Sequence, residues 1–382
     1  MNNHPPRVLV LLFGDIEFDG RVQRMIDIAS RFGEVTLLDL SEKALSHDSD
    51  LPVHCHERLK WNARSSVWRR HVSFWIRSYF LARRLRPRYV FAEDFFATLP
   101  GFLASRAAGG KFIYDAHELI VLEKGVKHGL RRRVWATLER AVIHFAELVI
   151  AANPERAQIM HDYYGLSRRP TYMRNIPTFN QPVQSELAEA EVSIPILSRD
   201  KVQWLVLYQG SMTASRGIGR FIEAMKQLDQ RYGLLLVGDG PDLDKFRAEI
   251  AKSNLGERVL AIGRVQNKKL AAITKLCDLG IVTYPYVGLN NIYCAPNKVY
   301  EYSQAGIPVL ATDQPPLVNV VRKHHLGDVI SQADGAAEIA NKISVLLERK
   351  GEFSVSLRSF VEENTVGVEM KRVENELERI SS

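Results

Sequence analysis

Three observations predict an α/β fold made of two Rossmann-like domains, each built on a parallel sheet. Short apolar runs alternate with helical patterns, as strands buried on both faces by crossover helices must. The alternation occurs in two series, separated by a stretch without strand pattern at residues 180–200. Glycines or polar residues follow many of the runs, where open parallel sheets hold their ligands. At 382 residues the chain has room for two domains of ordinary size.

Arg7 to Phe13 is a continuous apolar run ending at Gly14 and reads as a buried strand. Asp19 is placed to cap a helix in which Val22, Met25, Ile26 and Ala29 recur at helical spacing. Val35 to Leu38, Tyr89 to Ala92, Phe112 to Tyr114 and Leu148 to Ala151 continue the strand series. The last three run into Glu93-Asp94, into Asp115-Ala116-His117-Glu118, and towards Asn153-Pro154. After Asn175-Ile176-Pro177 the pattern breaks. A second series follows: Trp204 to Tyr208, Leu234 to Val237, Val259 to Ile262, Leu279 to Val282 and Val309 to Thr312. The expected division is an N-terminal domain over 1–180, a linker over 181–200, a C-terminal domain over 201–350, and closing helices over 351–382.

Hydrophobic residues make up 46% and charged residues 25% of the chain, the composition of a globular protein. Cys55, Cys277 and Cys294 form no C-x-x-C, which fits a reducing compartment and neither a disulfide framework nor a zinc site. The first residues show no signal-peptide pattern, and no apolar run approaches the roughly 20 residues of a membrane span. A cytoplasmic setting is expected.

The net charge of +7 is concentrated. Between Arg58 and Arg88 stand ten Lys or Arg and no acid, interleaved with Trp61, Trp68, Phe74, Trp75, Tyr79 and Phe80. One reading is a helix with its aromatic face in the core and its basic face in water. The other is an amphipathic surface helix at an anionic membrane, with nucleic acid the least favoured partner.

The most informative segment is Tyr293-Cys294-Ala295-Pro296-Asn297-Lys298-Val299-Tyr300-Glu301-Tyr302, followed by Gly306. Pro296 reads as the first helical position. Asn297 and Lys298 then lie beside the free N–H groups of a first helical turn, a site for a phosphate. Glu301, one turn on, can accept hydrogen bonds from sugar hydroxyls. Gly306 ends the helix. In Tyr208-Gln209-Gly210-Ser211 a glycine at a strand end lets backbone approach a ligand, and Arg216 can clamp a diphosphate. Gly238-Asp239-Gly240 is no dinucleotide fingerprint, because its sixth position is Leu243. Metalloprotease, nucleophile-elbow and Walker A patterns are missing from the sequence.

Pro296-Asn297-Lys298, Glu301 and Tyr302 resemble the donor-binding motif of family 4 glycosyltransferases, in the Pro-Asn-Lys-x-x-Glu-Tyr variant. The resemblance extends over most of the chain and implies the GT-B architecture, two Rossmann-like domains with parallel sheets facing a central cleft. The common family pattern has an earlier glutamate, where this sequence has Tyr293, and many members carry arginine where it has Ser211. The loops at Gly210, Gly238 and Arg264 match the family's diphosphate loop, the loop after it and its base-contacting loop. Tyr114-Asp115-Ala116-His117-Glu118 matches a Tyr-Asp-x-His-Glu motif in which His117 faces the donor sugar. Asp19 and, just before it, Gly14 fall on the loop and helix that border the acceptor.

The resemblance implies a retaining glycosyltransferase. It would move a sugar from a UDP- or GDP-linked donor to a glycan or lipid-linked acceptor, in surface polysaccharide or glycolipid biosynthesis, at the inner face of the membrane. Arg216 and Lys298 would stabilise the leaving diphosphate without a metal, Glu301 would hold the ribose, and His117 would position the sugar. Asp48-Ser49-Asp50 and Asp242-Leu243-Asp244 have the D-x-D spacing of metal-dependent glycosyltransferases, but read as loop or helix-cap acids. The last helix, around Val366 to Ile380, would cross back to the N-terminal domain. Alternatives are a degenerate, noncatalytic subunit of this fold and a nucleotide-sugar epimerase of the same architecture.

Overall fold

Strands that are apolar on both faces need cover on both faces, and each half of the chain meets that need with a parallel sheet and crossover helices. The computed structural model describes residues 5–43, 51–61, 66–123, 125–178, 181–194 and 202–381. These divide into one unit of Met1–Asn175 with Gly367–Ser382, and a second of Ile176–Val366.

The first unit holds seven parallel strands: β1 (Arg7–Leu12), β2 (Glu34–Ser41), β3 (Cys55–Lys60), β4 (Tyr89–Glu93), β5 (Lys111–Ala116), β6 (Leu148–Ala151) and β7 (Thr171–Tyr172). Their order is β3-β2-β1-β4-β5-β6-β7, so the winding reverses between β1 and β4. The register pairs Leu12 with Glu93 and Glu93 with Asp115. Two carboxylates thereby stand side by side at the carboxyl edge, next to the switch point.

The second unit holds β8 (Trp204–Gln209), β9 (Tyr232–Val237), β10 (Val259–Ile262), β11 (Leu279–Val282), β12 (Val309–Thr312) and β13 (Gly327–Ile330). All are parallel in the order β10-β9-β8-β11-β12-β13, with the reversal between β8 and β11. Alternate residues of β8 face opposite layers. Leu205 and Leu207 join Val282, Val299 and Tyr302, whereas Val206 and Tyr208 join Ile218, Phe221 and Phe246.

Three strands lack the apolar run that marks the others. β3 has one aliphatic residue, Leu59; β7 has only two residues; and β13 carries Asp328. Within the segment expected as a linker, residues Gln184–Ser193 form a helix. Leu187, Ala190 and Ile194 pack into the second unit's core, so this stretch is part of that unit. The last helix, Val366–Ser381, is bonded to the first unit. Arg174 donates to Glu369 through its backbone N at 2.7 Å and its Nε at 3.0 Å, and Tyr89 Oη lies 2.6 Å from Ser381 Oγ.

One glycine decides the packing of the helix Lys298–Ala305. Tyr302 is fully buried with its ring against Gly280 of β11, and a Cβ there would lie 2.2 Å from Tyr302 Cδ2. The Tyr302 hydroxyl donates to Ile281 O at 3.2 Å, so the ring cannot tilt away without losing a buried bond. Gly280→Ala should therefore lower unfolding stability by about 1–3 kcal/mol, the usual range for overpacking a core. Denaturant unfolding measures it, and a variant as stable as the parent would show that the helix slides freely over β11.

Candidate active site

At the carboxyl edge of the first sheet, buried charge is held by mutual pairing. Asp19 caps the helix Gly20–Ser30 by accepting from the backbone N of Arg21 and Val22, each at 3.1 Å. That cap sends Arg21 inward. Its Nη2 and Nε reach the two oxygens of Asp115 at 2.6 and 2.8 Å, with both side chains buried. His117 follows two residues later. Its Nε2 lies 3.3 Å from both Glu93 Oε2 and Asp115 Oδ2, and its Nδ1 lies 3.8 Å from Asp19 Oδ2. Arg156 donates to the His117 carbonyl at 2.7 Å and holds the turn.

Burial and charge pull these groups apart. Burial pushes the Glu93 carboxyl up to about 8, against the pull of His117 and Arg21. Burial also raises Asp94, to about 6. Asp115 is buried too, but the Arg21 charge and the His117 hydrogen bond hold it well below the usual carboxylate range. Burial opposes charge on His117, yet Asp115 and Glu93 as acceptors raise its pKa well above the ordinary value. Both contacts favour the protonated ring, whose side chain is still 16% exposed. Asp94 adopts φ 63° and ψ 169°, a conformation that costs a non-glycine residue about 1–3 kcal/mol. Its Oδ1 and Glu93 Oε1 are buried without a hydrogen-bond partner among the described residues. Donor atoms of Glu93, Asp115 and His117 lie within 4.8 Å of one another, close enough to hold a cation. The Arg21 guanidinium already supplies positive charge to the Asp115 carboxylate, which disfavours a second cation there.

The second unit builds its site at the ends of β8 and β11. Gln209 closes β8; its side-chain Oε1 accepts from Thr274 Oγ1 at 3.0 Å and its Nε2 donates to Glu301 Oε2. Lys298 Nζ reaches Glu301 at 2.8 and 3.1 Å. Lys298 and Glu301, expected to serve phosphate and hydroxyls, thus form a pair, both partly exposed. An ammonium has three donors, so Lys298 keeps one beyond these two bonds. Arg216 ends the short 3-10 turn Ala214–Arg216. Its Nη1 donates to Thr283 O at 3.2 Å and its guanidinium lies 4.3 Å from the centre of the Tyr284 ring.

Gly210 and Gly238 face each other across the ends of β8 and β9. A Cβ on Gly238, whose φ is +145°, would fall 1.8 Å from Gly210 O, so close backbone approach requires this glycine. Ser211 is exposed and its carbonyl accepts from Tyr208 Oη at 2.8 Å. Gly14 follows β1, and its carbonyl accepts from Leu40 N at 3.0 Å. Arg264 is exposed after β10, and Tyr293 is half-buried after the helix Leu289–Ile292. The donor-motif helix spans Lys298–Ala305, later than expected. Asn297, not Pro296, adjoins it: the Asn297 carbonyl accepts the first helical bonds, from Tyr300 and Glu301 N. Cys294 is wholly buried in the core, and residues 293–297, which lead into this helix, are not helical.

Of the D-x-D pairs, Asp48 and Asp50 lie outside the described residues. Asp242 accepts from Ala214 N at 2.7 Å and Asp244 pairs with Arg247 at 3.0 Å, so both hold local structure. Sequence reasoning missed Arg21, Glu93 and Gln209 as members of the sites. An acid ending an otherwise apolar strand, Glu93, was the available signal.

Two parallel α/β units with this strand order, and ligand-competent groups at the strand ends, are those of the GT-B fold. Residues 190–364 match the sequence model of the family described as glycosyl transferases group 1. No curated protein matches the chain. Among solved structures, Anabaena HepE in complex with UDP is 17% identical, covering 98% of this chain and all of that one at a TM-score of 0.74. Sucrose-phosphate synthase from Thermosynechococcus elongatus is 18% identical, covering 98% of each chain at 0.71. WaaG, a glycosyltransferase involved in lipopolysaccharide biosynthesis, is 16% identical, covering 96% and 98% at 0.70. At these identities the likeness is one of fold.

Replacing Glu93 by Gln removes one of the two carboxyl groups whose hydrogen bonds raise His117. The His117 titration midpoint should fall, read by NMR of the labelled imidazole. The contribution of His117 to stability is complete below its unfolded pKa of about 6.5 and is lost as pH rises through the higher folded value. A midpoint unmoved by Glu93→Gln would remove Glu93 from the pairing.

Proposed function

We propose that this protein is a retaining glycosyltransferase of the family 4 type that takes a hexose from a UDP- or GDP-linked donor. The acceptor is a glycan or lipid-linked saccharide of surface polysaccharide or glycolipid biosynthesis, and the enzyme works in the cytoplasm at the inner face of the membrane. The observation that carries the donor assignment is the Lys298–Glu301 pair oriented by Gln209 at the end of β8, with Arg216 held at the end of β11, the two strands that flank the switch point of the second sheet. Arg216 and the remaining donor of Lys298 meet the diphosphate. They stabilise the charge that develops as the glycosidic bond breaks, so no metal is needed for that task. Glu301, oriented by Gln209, accepts from ribose hydroxyls. His117, as an imidazolium, donates a hydrogen bond to the donor sugar. The complexes named for HepE, with UDP, UDP and glucose, and UDP-glucose, support a uridine donor by likeness of fold.

Calorimetric titration with UDP and GDP tests the donor assignment. Arg216→Ala and Lys298→Ala should each weaken the preferred nucleotide by about 1.5–3 kcal/mol, the worth of a charge-assisted hydrogen bond. Wild-type affinity in both variants would overturn the diphosphate assignment.

For the chemistry, His117→Ala should leave nucleoside diphosphate affinity nearly unchanged while sugar transfer falls at least about a hundredfold, the scale of a lost oxyanion-type donor. Unchanged turnover would return His117 to a structural role. Donor consumed without any acceptor and converted to an isomeric nucleotide-sugar would instead identify an epimerase.

A further inference from the structure

The helix Val67–Leu85 is apolar on two opposite sides. Its inward stripe, His71, Phe74, Ser78, Leu81 and Ala82, is buried. Trp68, Val72, Ile76 and Phe80 recur every fourth residue, a spacing that forms one ridge on a helix. At 100° per residue that ridge centres roughly opposite the buried stripe. It is exposed: Trp68 by 62%, Val72 by 46%, Ile76 by 53% and Phe80 by 63%. A shallow groove of about 660 Å³ runs along these side chains and Leu59 of β3, with Arg69 and Arg77 on its walls. Neither expected arrangement of the aromatic residues is complete, because Phe74 enters the core while Trp68 and Phe80 face out.

We propose that this ridge is a docking surface for an anionic lipid bilayer, lying flat with Trp68, Ile76 and Phe80 among the acyl chains. The cations select this occupant. The helix contains no acid. Arg69 and Arg83 are exposed and pair with no carboxylate among the described residues, while Arg77 and Arg84 share the one carboxylate of Glu57. Apolar side chains flanked by unneutralised arginines match the two layers such a bilayer presents, acyl region and anionic headgroups. A second copy would bring like charges together around the same ridge. The geometry stands without the proposed reaction, and gives that reaction access to a lipid-linked acceptor.

The test is flotation of the full chain, without donor or acceptor, with vesicles of phosphatidylcholine plus phosphatidylglycerol and with phosphatidylcholine alone. Binding should need the anionic lipid and weaken with salt. Ile76→Ser and Phe80→Ser should each reduce it about tenfold, given the transfer energy of a large apolar side chain. Arg69→Gln and Arg83→Gln should each reduce it about fivefold, on anionic vesicles only. Brominated acyl chains should quench a tryptophan signal that Trp68→Phe removes. Because all five positions are exposed, thermal midpoints should stay near the parent's and report that the fold persists. Wild type that fails to float with anionic vesicles at low salt, or an Ile76→Ser, Phe80→Ser double variant that binds like wild type, would overturn the proposal. So would a solution dimer that the double variant dissolves while vesicles bind neither protein, which would assign the ridge to a second copy.

Discussion

The first unit's site depends on one buried guanidinium. Arg21 gives Asp115 two hydrogen bonds, and donates also to Ala151 O, Met173 O and Asn175 Oδ1. A single side chain thus ties the ends of β5 and β6 to the segment after β7. An unpaired guanidinium at this depth would be costly to bury, and an unpaired Asp115 equally so. Their pairing keeps Asp115 ionised, which in turn gives the His117 ring an acceptor. Glu93 then sits beside a neighbourhood whose charge is already largely balanced, and burial can favour its neutral form.

The second unit uses a different device. Glu301 is oriented by the neutral amide of Gln209 and by Lys298, and it is about one quarter exposed. Arg216 is held through a backbone carbonyl and the face of Tyr284, contacts that, among the described residues, leave its charge unneutralised. Such cations suit an arriving anion, because no carboxylate has to be displaced from Arg216 and only one is shared by Lys298. One unit therefore stores fixed charge out of water, while the other displays it to solvent.

The fold was legible wherever a strand is buried on both faces. The runs at Val259, Leu279 and Val309 were read with the bounds they have in the structure, because apolar content alone marks them. β3 was not, since at the sheet edge Cys-His-Glu-Arg-Leu-Lys needs no apolar face and its pattern is set by pairing with β2. The helix Gln184–Ser193 was hidden by its short, weakly amphipathic sequence. In the sites, motif residues such as Lys298, Glu301 and His117 stood out by spacing. Their partners Arg21, Glu93 and Gln209 did not, because each meets its group only through parallel register or a helix cap far away in the chain. The ridge at Trp68 was visible as composition, but which side of the helix faces outward is decided by packing.

The last helix has a consequence for synthesis. Its residues belong to the first unit, where Arg88 donates to Ser381 O and Glu369 binds Arg174, yet about 190 residues of the other unit intervene. A ribosome emitting the chain from its amino end delivers the whole second unit before that helix exists. The first unit to begin folding is therefore the last to be finished, and until then Tyr89, Arg88 and Arg174 await partners that have not been translated. Vectorial folding here is nested rather than sequential, and a stalled chain would expose the surface of the first unit that this helix covers.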